Sequence, residues 1–147
     1  MASVGNFSAS VGNWAKQAPE RMTAVFRQSV TALAFEVVKT KNEGGHMPVL
    51  TGNLRRSLLA STESMPSTKA TKDNNKNAGD AGTVGSQVAL VAATLKMGQT
   101  FYLGFQANYA RYAEANNGFV RLTAQKWQSI VRKTATAVKQ AYEARNK

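Results

Sequence analysis

One histidine, eight carboxylates and no cysteine are the whole inventory from which this 147-residue chain could build acid–base, thiolate or metal chemistry. His46 follows Gly44-Gly45 and reads as a loop residue. A metal site would have to be carboxylate-rich, yet the acidic residues show no paired spacing that brings two to one face of an element. Without cysteine, disulfides, thiolate catalysis and Cys-zinc sites are excluded. Ser57 and Ser61 have no base nearby in sequence, and Asp73 and Asp80 fall in a polar stretch where a preorganised carboxylate pair is hard to build. The chain contains no glycine-rich phosphate loop, no Gly-x-Ser-x-Gly elbow and no His-Glu-x-x-His. These absences predict a protein that is not an enzyme, with no cofactor, no catalytic residues and no metal.

The charges point to association instead. The formal net charge is +11. Residues 1–65 carry seven basic and four acidic groups, residues 66–118 five and three, and residues 119–147 seven and one. More than half of the excess therefore sits in the last fifth of the chain, which favours polyanions or acidic protein surfaces. Lys69, Lys72 and Lys76 recur at spacings of three and four and could track phosphates without reading sequence. No DNA-reading motif accompanies them, and Phe101, Tyr102 and Phe105 sit in a run that reads as buried rather than as a stacking platform. No apolar run reaches the roughly 18–20 residues of a membrane span. The first residues, Met1-Ala2-Ser3-Val4-Gly5-Asn6-Phe7, lack the basic start and apolar core of a signal peptide, so an intracellular soluble product is expected.

The elements that must position these residues follow from periodicity. Residues 1–12 are small and polar apart from Val4, Phe7 and Val11, and predict a flexible arm or an edge strand. Asn13 is a candidate N-cap. From Trp14 to Thr40, Met22, Phe26, Ser29/Val30, Leu33 and Val37 recur at helical spacing. Pro19 either starts or kinks this helix, and Asn42-Glu43-Gly44-Gly45 ends it with a left-handed glycine. Pro48 then biases His46-Met47 toward extended backbone, and Thr51 caps a short helical turn. In that turn Leu54 and Leu58 face inward while Arg55 and Arg56 point elsewhere.

Leu58–Thr62 reads as a strand, and residues 63–85 as a long mobile loop, with too little apolar surface to offset ordering. Val88–Leu95, a turn at Lys96–Gln99 and Thr100–Phe105 predict a β-hairpin apolar on both faces. Asn108–Ala115 makes two helical turns stopped by Asn116-Asn117-Gly118. Last comes a helix from Val120 to Glu143 with its stripe on Trp127, Ile130/Val131, Thr134, Val138 and Ala141/Tyr142. The expected fold is one α+β domain over residues 1–147. It has a long N-terminal helix, a short helical turn, a small antiparallel sheet of three to four strands and a long C-terminal helix packed on the sheet.

Taken in order, three features resemble a known family, the small neck or tail-completion proteins of long-tailed phages and prophages. The first is the N-terminal amphipathic helix entered through Asn13-Trp14-Ala15-Lys16. The second is Pro48-Val49-Leu50-Thr51-Gly52-Asn53-Leu54-Arg55, which is similar to the family's Pro-x-x-Thr-Gly-x-Leu-Arg. The third is Tyr109-Ala110-Arg111-Tyr112-Ala113-Glu114 followed by Gly118-Phe119-Val120-Arg121-Leu122-Thr123. The resemblance runs over nearly the whole chain; the compact Ala115-Asn116-Asn117-Gly118 and the insertion at residues 63–85 depart from it.

It implies a virion structural protein, made in the host cytoplasm, that forms a ring, hexameric or dodecameric, at the head–tail junction or upper tail. Its partners would be further copies of itself, the connector or head-completion protein, and the tail-tube or tail-terminator protein, with non-specific contact to channel DNA and no membrane. Pro48, Thr51, Gly52, Leu54, Gly118 and Phe119 would then be structural. Arg55, Arg56, Tyr109, Arg111, Tyr112 and Glu114 would be candidates for subunit or partner contacts, tyrosine being a favoured interface anchor. Lys69, Lys72 and Lys76 would face the channel or a neighbouring ring. The alternative from charge alone is a free basic nucleic-acid-binding protein.

Overall fold

The computed structural model describes residues 4–48, 53–67 and 81–145. The chain order is α1 (Val4–Val37), a 3-10 turn (Lys41–Glu43), α2 (Asn53–Arg56), β1 (Leu58–Ser61), α3 (Ala81–Ala93), β2 (Tyr102–Phe105), α4 (Ala110–Asn117), α5 (Phe119–Ala124) and α6 (Trp127–Arg145). The mixed helix-and-sheet character and the long terminal helices agree with the sequence pattern, but helix dominates and the sheet has two strands.

α1 is the wall against which the other helices pack, meeting α3, α5 and α6. Its buried stripe is Ser29, Val30, Ala34, Val37 and Val38, spaced so that one helical face points into the core. α1 begins at Val4, so residues 4–12 are helical rather than an arm or edge strand. It also runs unbroken through Pro19. Pro19 is exposed, where water can satisfy the carbonyl that loses its amide partner. The Thr23 hydroxyl donates to the Pro19 carbonyl at 2.8 Å.

α1 stops at Val37, earlier than the glycines suggest. Gly44, at φ 87°, caps the following 3-10 turn instead. The Glu43 carboxylate closes that turn by accepting the Thr40 amide at 2.9 Å, and Met47 returns beside Thr40 through an isolated parallel bridge.

β1 and β2 pair antiparallel with Leu58 opposite Phe105 and Ser61 opposite Tyr102. They are not a hairpin, because α3 lies between them in the chain and packs on both β1 and α1. The strand expected over Val88–Leu95 is therefore corrected to helix. Val88, Ala92 and Leu95 are buried while Leu90 is 72% exposed, a period of three to four that no strand produces. The alanines that weaken a strand favour this helix. Residues 81–85, placed by sequence in the mobile loop, are its first turns, and Gly85 is buried where the Phe35 ring of α1 fills the space a Cβ would need.

The C-terminal helix is likewise corrected. It is interrupted at Gln125-Lys126, and α6 packs antiparallel along α1, from Lys126 beside Glu36 to Tyr142 beside Arg21, rather than on the sheet. What reaches the sheet is α5, through Phe119. Its ring is 1% exposed and meets Phe105 edge-on, with centroids 5.3 Å apart. Ala34, Val37, Val38, Met47, Leu54, Leu58, Val88, Ala107 and Phe119 form the main core; Val30, Ala92 and Leu95 form a second with Phe26, Phe101 and Trp127 at its edge. Phe119→Ala is expected to cost about 3–5 kcal/mol, the range for emptying a buried aromatic site, read from urea unfolding monitored by circular dichroism.

Candidate functional site

Of the residues singled out in sequence, Thr51, Gly52, Lys69, Lys72, Asp73, Lys76 and Asp80 lie outside the described residues, as do residues 68–80 of the loop expected over 63–85. The others divide into builders of the fold and surface groups. At the helix–turn joint, Leu54 is buried in the main core. The Ser57 hydroxyl donates to the Leu54 carbonyl at 2.7 Å, and the Gln106 amide donates to the Ser57 carbonyl at 2.9 Å, tying α2 to the end of β2. The Ser61 hydroxyl accepts the amides of Glu63 and Ser64. Arg55 is held by Glu43, with Nη2 2.8 Å from Oε2, so the carboxylate that closes the 3-10 turn also anchors the arginine. The Thr40 amide, and then Arg55, hold the Glu43 carboxyl below its ordinary range. Arg56 is half-buried on the same turn.

The Tyr-Ala-Arg-Tyr-Ala-Glu stretch splits in a similar way. Glu114 accepts the Val120 amide at 2.7 Å and the Arg121 amide at 3.1 Å, so its carboxylate caps α5. Gly118, at φ 63°, makes the sharp joint between α4 and α5 and donates its amide to the Glu114 carbonyl at 2.7 Å. Phe119 is thereby delivered into the core. Glu114 is accounted for as a structural cap, whereas Tyr109, Arg111 and Tyr112 are exposed on α4, Tyr112 by 72%.

Two polar ties escaped the sequence. Glu36 on α1 pairs with Lys126 at 2.7 Å and Lys39 at 2.8 Å while its own side chain is only 20% exposed. The hydrogen bond from Lys126, then that from Lys39, holds the Glu36 carboxyl below its ordinary range. Arg27 donates through Nε to the Leu95 carbonyl at 2.8 Å, just past the C-terminal end of α3. The Glu36–Lys39 spacing is readable in a helix, but Lys126 and Leu95 are 90 and 68 positions from their partners, and no local pattern announces them.

The surface carries large apolar groups that the core does not absorb: Trp14, Met22, Leu90 and Tyr112 are each more than half exposed. Two open grooves run beside α1. One of about 570 Å³ lies against α3, lined by alanines with Arg27, Gln28, Thr31 and Phe35; the other, of about 450 Å³, lies against α6 and includes Met22, Met97 and Trp127. Among the described residues no group of three or more His, Asp or Glu side chains could hold a metal, and no helix is long and apolar enough to cross a membrane. Comparison of the chain with protein-family models, curated proteins and solved structures finds no match.

Glu114→Ala is expected to lower stability by about 1 kcal/mol, the usual cost of a lost cap, whereas Arg111→Ala and Tyr112→Ala stay within about 0.5 kcal/mol. Thermal melts of the three variants check this. Glu36 also sets a pH dependence. Its folded pKa is depressed, so its contribution is present above the ordinary glutamate value of about 4.3 and is lost as pH falls through the folded value. Glu36→Gln should therefore melt lower than the parent near neutrality and converge with it as the pH falls through the lowered folded value, followed by melting temperature against pH.

Proposed function

We propose that this protein is a structural subunit of a tailed-phage virion, forming a ring at the head–tail junction that joins tail to head, as a neck, tail-completion or tail-terminator protein. The observation that carries this reading is a basic chain that keeps Trp14, Met22, Leu90 and Tyr112 largely on its surface. Met22 joins Met97 and Trp127 along the uncovered α1–α6 groove, and an open apolar groove of that kind marks a surface for a partner protein. The three motifs resembling the neck family support the same reading, and the described structure gives two of them distinct jobs. Leu54, Gly118 and Phe119 build the core and its joint, while Tyr109, Arg111 and Tyr112 remain outside.

In this reading the subunit needs no catalytic group. Its partners are copies of itself in a hexamer or dodecamer, the connector or head-completion protein on one side, and the tail-tube or terminator protein on the other. Lys69, Lys72 and Lys76 face channel DNA or a neighbouring ring, and the protein resides in the virion at the neck or upper tail. The charge excess on α6, including Arg132, Lys133 and Arg145, suits an acidic neighbour.

Light scattering of the purified chain, with a joining assay on heads and tails from particles lacking it, tests the proposal. The expected result is a closed oligomer, or a monomer that restores joining, with little duplex-DNA binding by the isolated chain. A stable monomer that fails to restore joining, yet binds duplex DNA with an affinity falling steeply in salt, would replace this reading with a nucleic-acid-binding one.

A further inference from the structure

We infer that α3 is the self-association element of this chain: the ridge centred on Leu90 of one copy packs into the α1–α3 groove of a second copy. The inference rests on the assembly reading above and names the surface that reading leaves open.

Charge is the first reason. Two copies of a +11 chain repel unless their contact avoids bringing like charges together. α3 reads AGTVGSQVALVAA, and it is the one described α-helix without a charged side chain. The other exposed apolar faces are not neutral. The α1–α6 groove includes Arg21 and lies along the helix bearing Arg132, Lys133, Lys139 and Arg145; Tyr112 shares α4 with Arg111. A copy of this chain meets least repulsion at α3, where each groove counts one arginine but α3 adds no cation of its own and α6 adds four.

Shape is the second. Ser86, Leu90 and Thr94, spaced by four, form an exposed ridge along α3, with Leu90 72% exposed at its centre. On the neighbouring side, Gln28, Thr31, Ala32 and Phe35 of α1 and Ala89 and Ala93 of α3 line an open groove of about 570 Å³. Alanines let a second helix approach closely, and an i±4 ridge entering such a groove is the commonest helix-packing class. Arg27, the cation in that lining, already donates to the Leu95 carbonyl. Ridge and groove are neighbours on α3, with Leu90 one turn from Ala93 while also lining a hollow with Ala60, Ser61 and Glu63. In the assembly reading above this contact takes its head-to-tail form, the kind that closes into a ring when the rotation allows.

The chain has no cysteine, so introduced thiols report cleanly. Leu90→Cys and Gln28→Cys, both at exposed positions, are each purified and oxidised alone, then mixed in equal amounts and oxidised together, all in the full-length chain. The expected result is a covalent pair from the mixture and little from either variant alone, with a ladder of higher species from the double variant. Leu90→Lys should keep the parent's melting temperature at concentrations where both are monomeric and raise the concentration for half-assembly by at least about tenfold, as loss of an interface anchor does. Added salt should strengthen assembly, since screening relieves repulsion between copies.

A double variant that stops at a doubly linked pair, with no ladder, would overturn the head-to-tail contact in favour of a two-fold one. A parent oligomer of unchanged mass in Leu90→Lys, with no mixed cross-link, would overturn this surface and leave the ring intact. Assembly that depends on Leu90 in a chain unable to join heads to tails would uphold this surface and remove the neck reading. A parent that stays monomeric at every concentration, with no mixed cross-link, would overturn the self-association surface itself.

Discussion

A helix as long as α1 gains little from its own hydrogen bonds in water, and its persistence depends on burying one face. Here that face runs from Ser29 to Val38, and the core is assembled upon it. α3, α5 and α6 all touch α1, whereas the two-stranded sheet is too small to organise anything alone. The described part of α1 before the body, residues 8–16, is exposed throughout and lacks this support. The molecule is therefore a helical spine with elements laid along its C-terminal half, and the sheet closes one side.

Polar groups set the angles at which those elements meet. Glu36 draws Lys126 to α1 at the break between α5 and α6, and Arg27 pins the end of α3. Glu114 caps α5 across the Gly118 joint, and Glu43 serves both the Thr40 amide and Arg55. Three of the eight carboxylates are thus engaged in holding joints, which is a reason to read them as structure rather than chemistry. The proposed activity is correspondingly one of surfaces, in which what the chain leaves uncovered matters more than any one reactive atom.

The element types read well from sequence where a periodic stripe was long. α1 and the last helix were legible from apolar spacing, α4 from the run stopped at Asn116-Asn117-Gly118, β1 from its short apolar run, and α2 from the Pro48–Leu54 turn. The reading failed at α3. Val, Ala and Leu alternate there densely enough to suit a strand by composition, and the period became visible only once Leu90 was outside and Val88, Ala92 and Leu95 were inside. That single error removed the hairpin, reduced the sheet to two strands and put an uncharged helix beside α1. The capping of α5 by Glu114 was not legible either, because its amide partners lie beyond a glycine joint whose geometry the sequence alone does not give.

By itself the sequence determined the charge balance, the poverty of catalytic groups, the two long terminal helices and the break at Gly118. These follow from residue chemistry and from periods spanning a few positions. Only the tertiary structure decided which helix α6 packs along, that β1 and β2 pair across an intervening helix, and which apolar groups stay outside. Those outcomes rest on contacts between residues tens of positions apart, where burial and hydrogen bonding outweigh the weak local preferences of a segment such as Val88–Leu95.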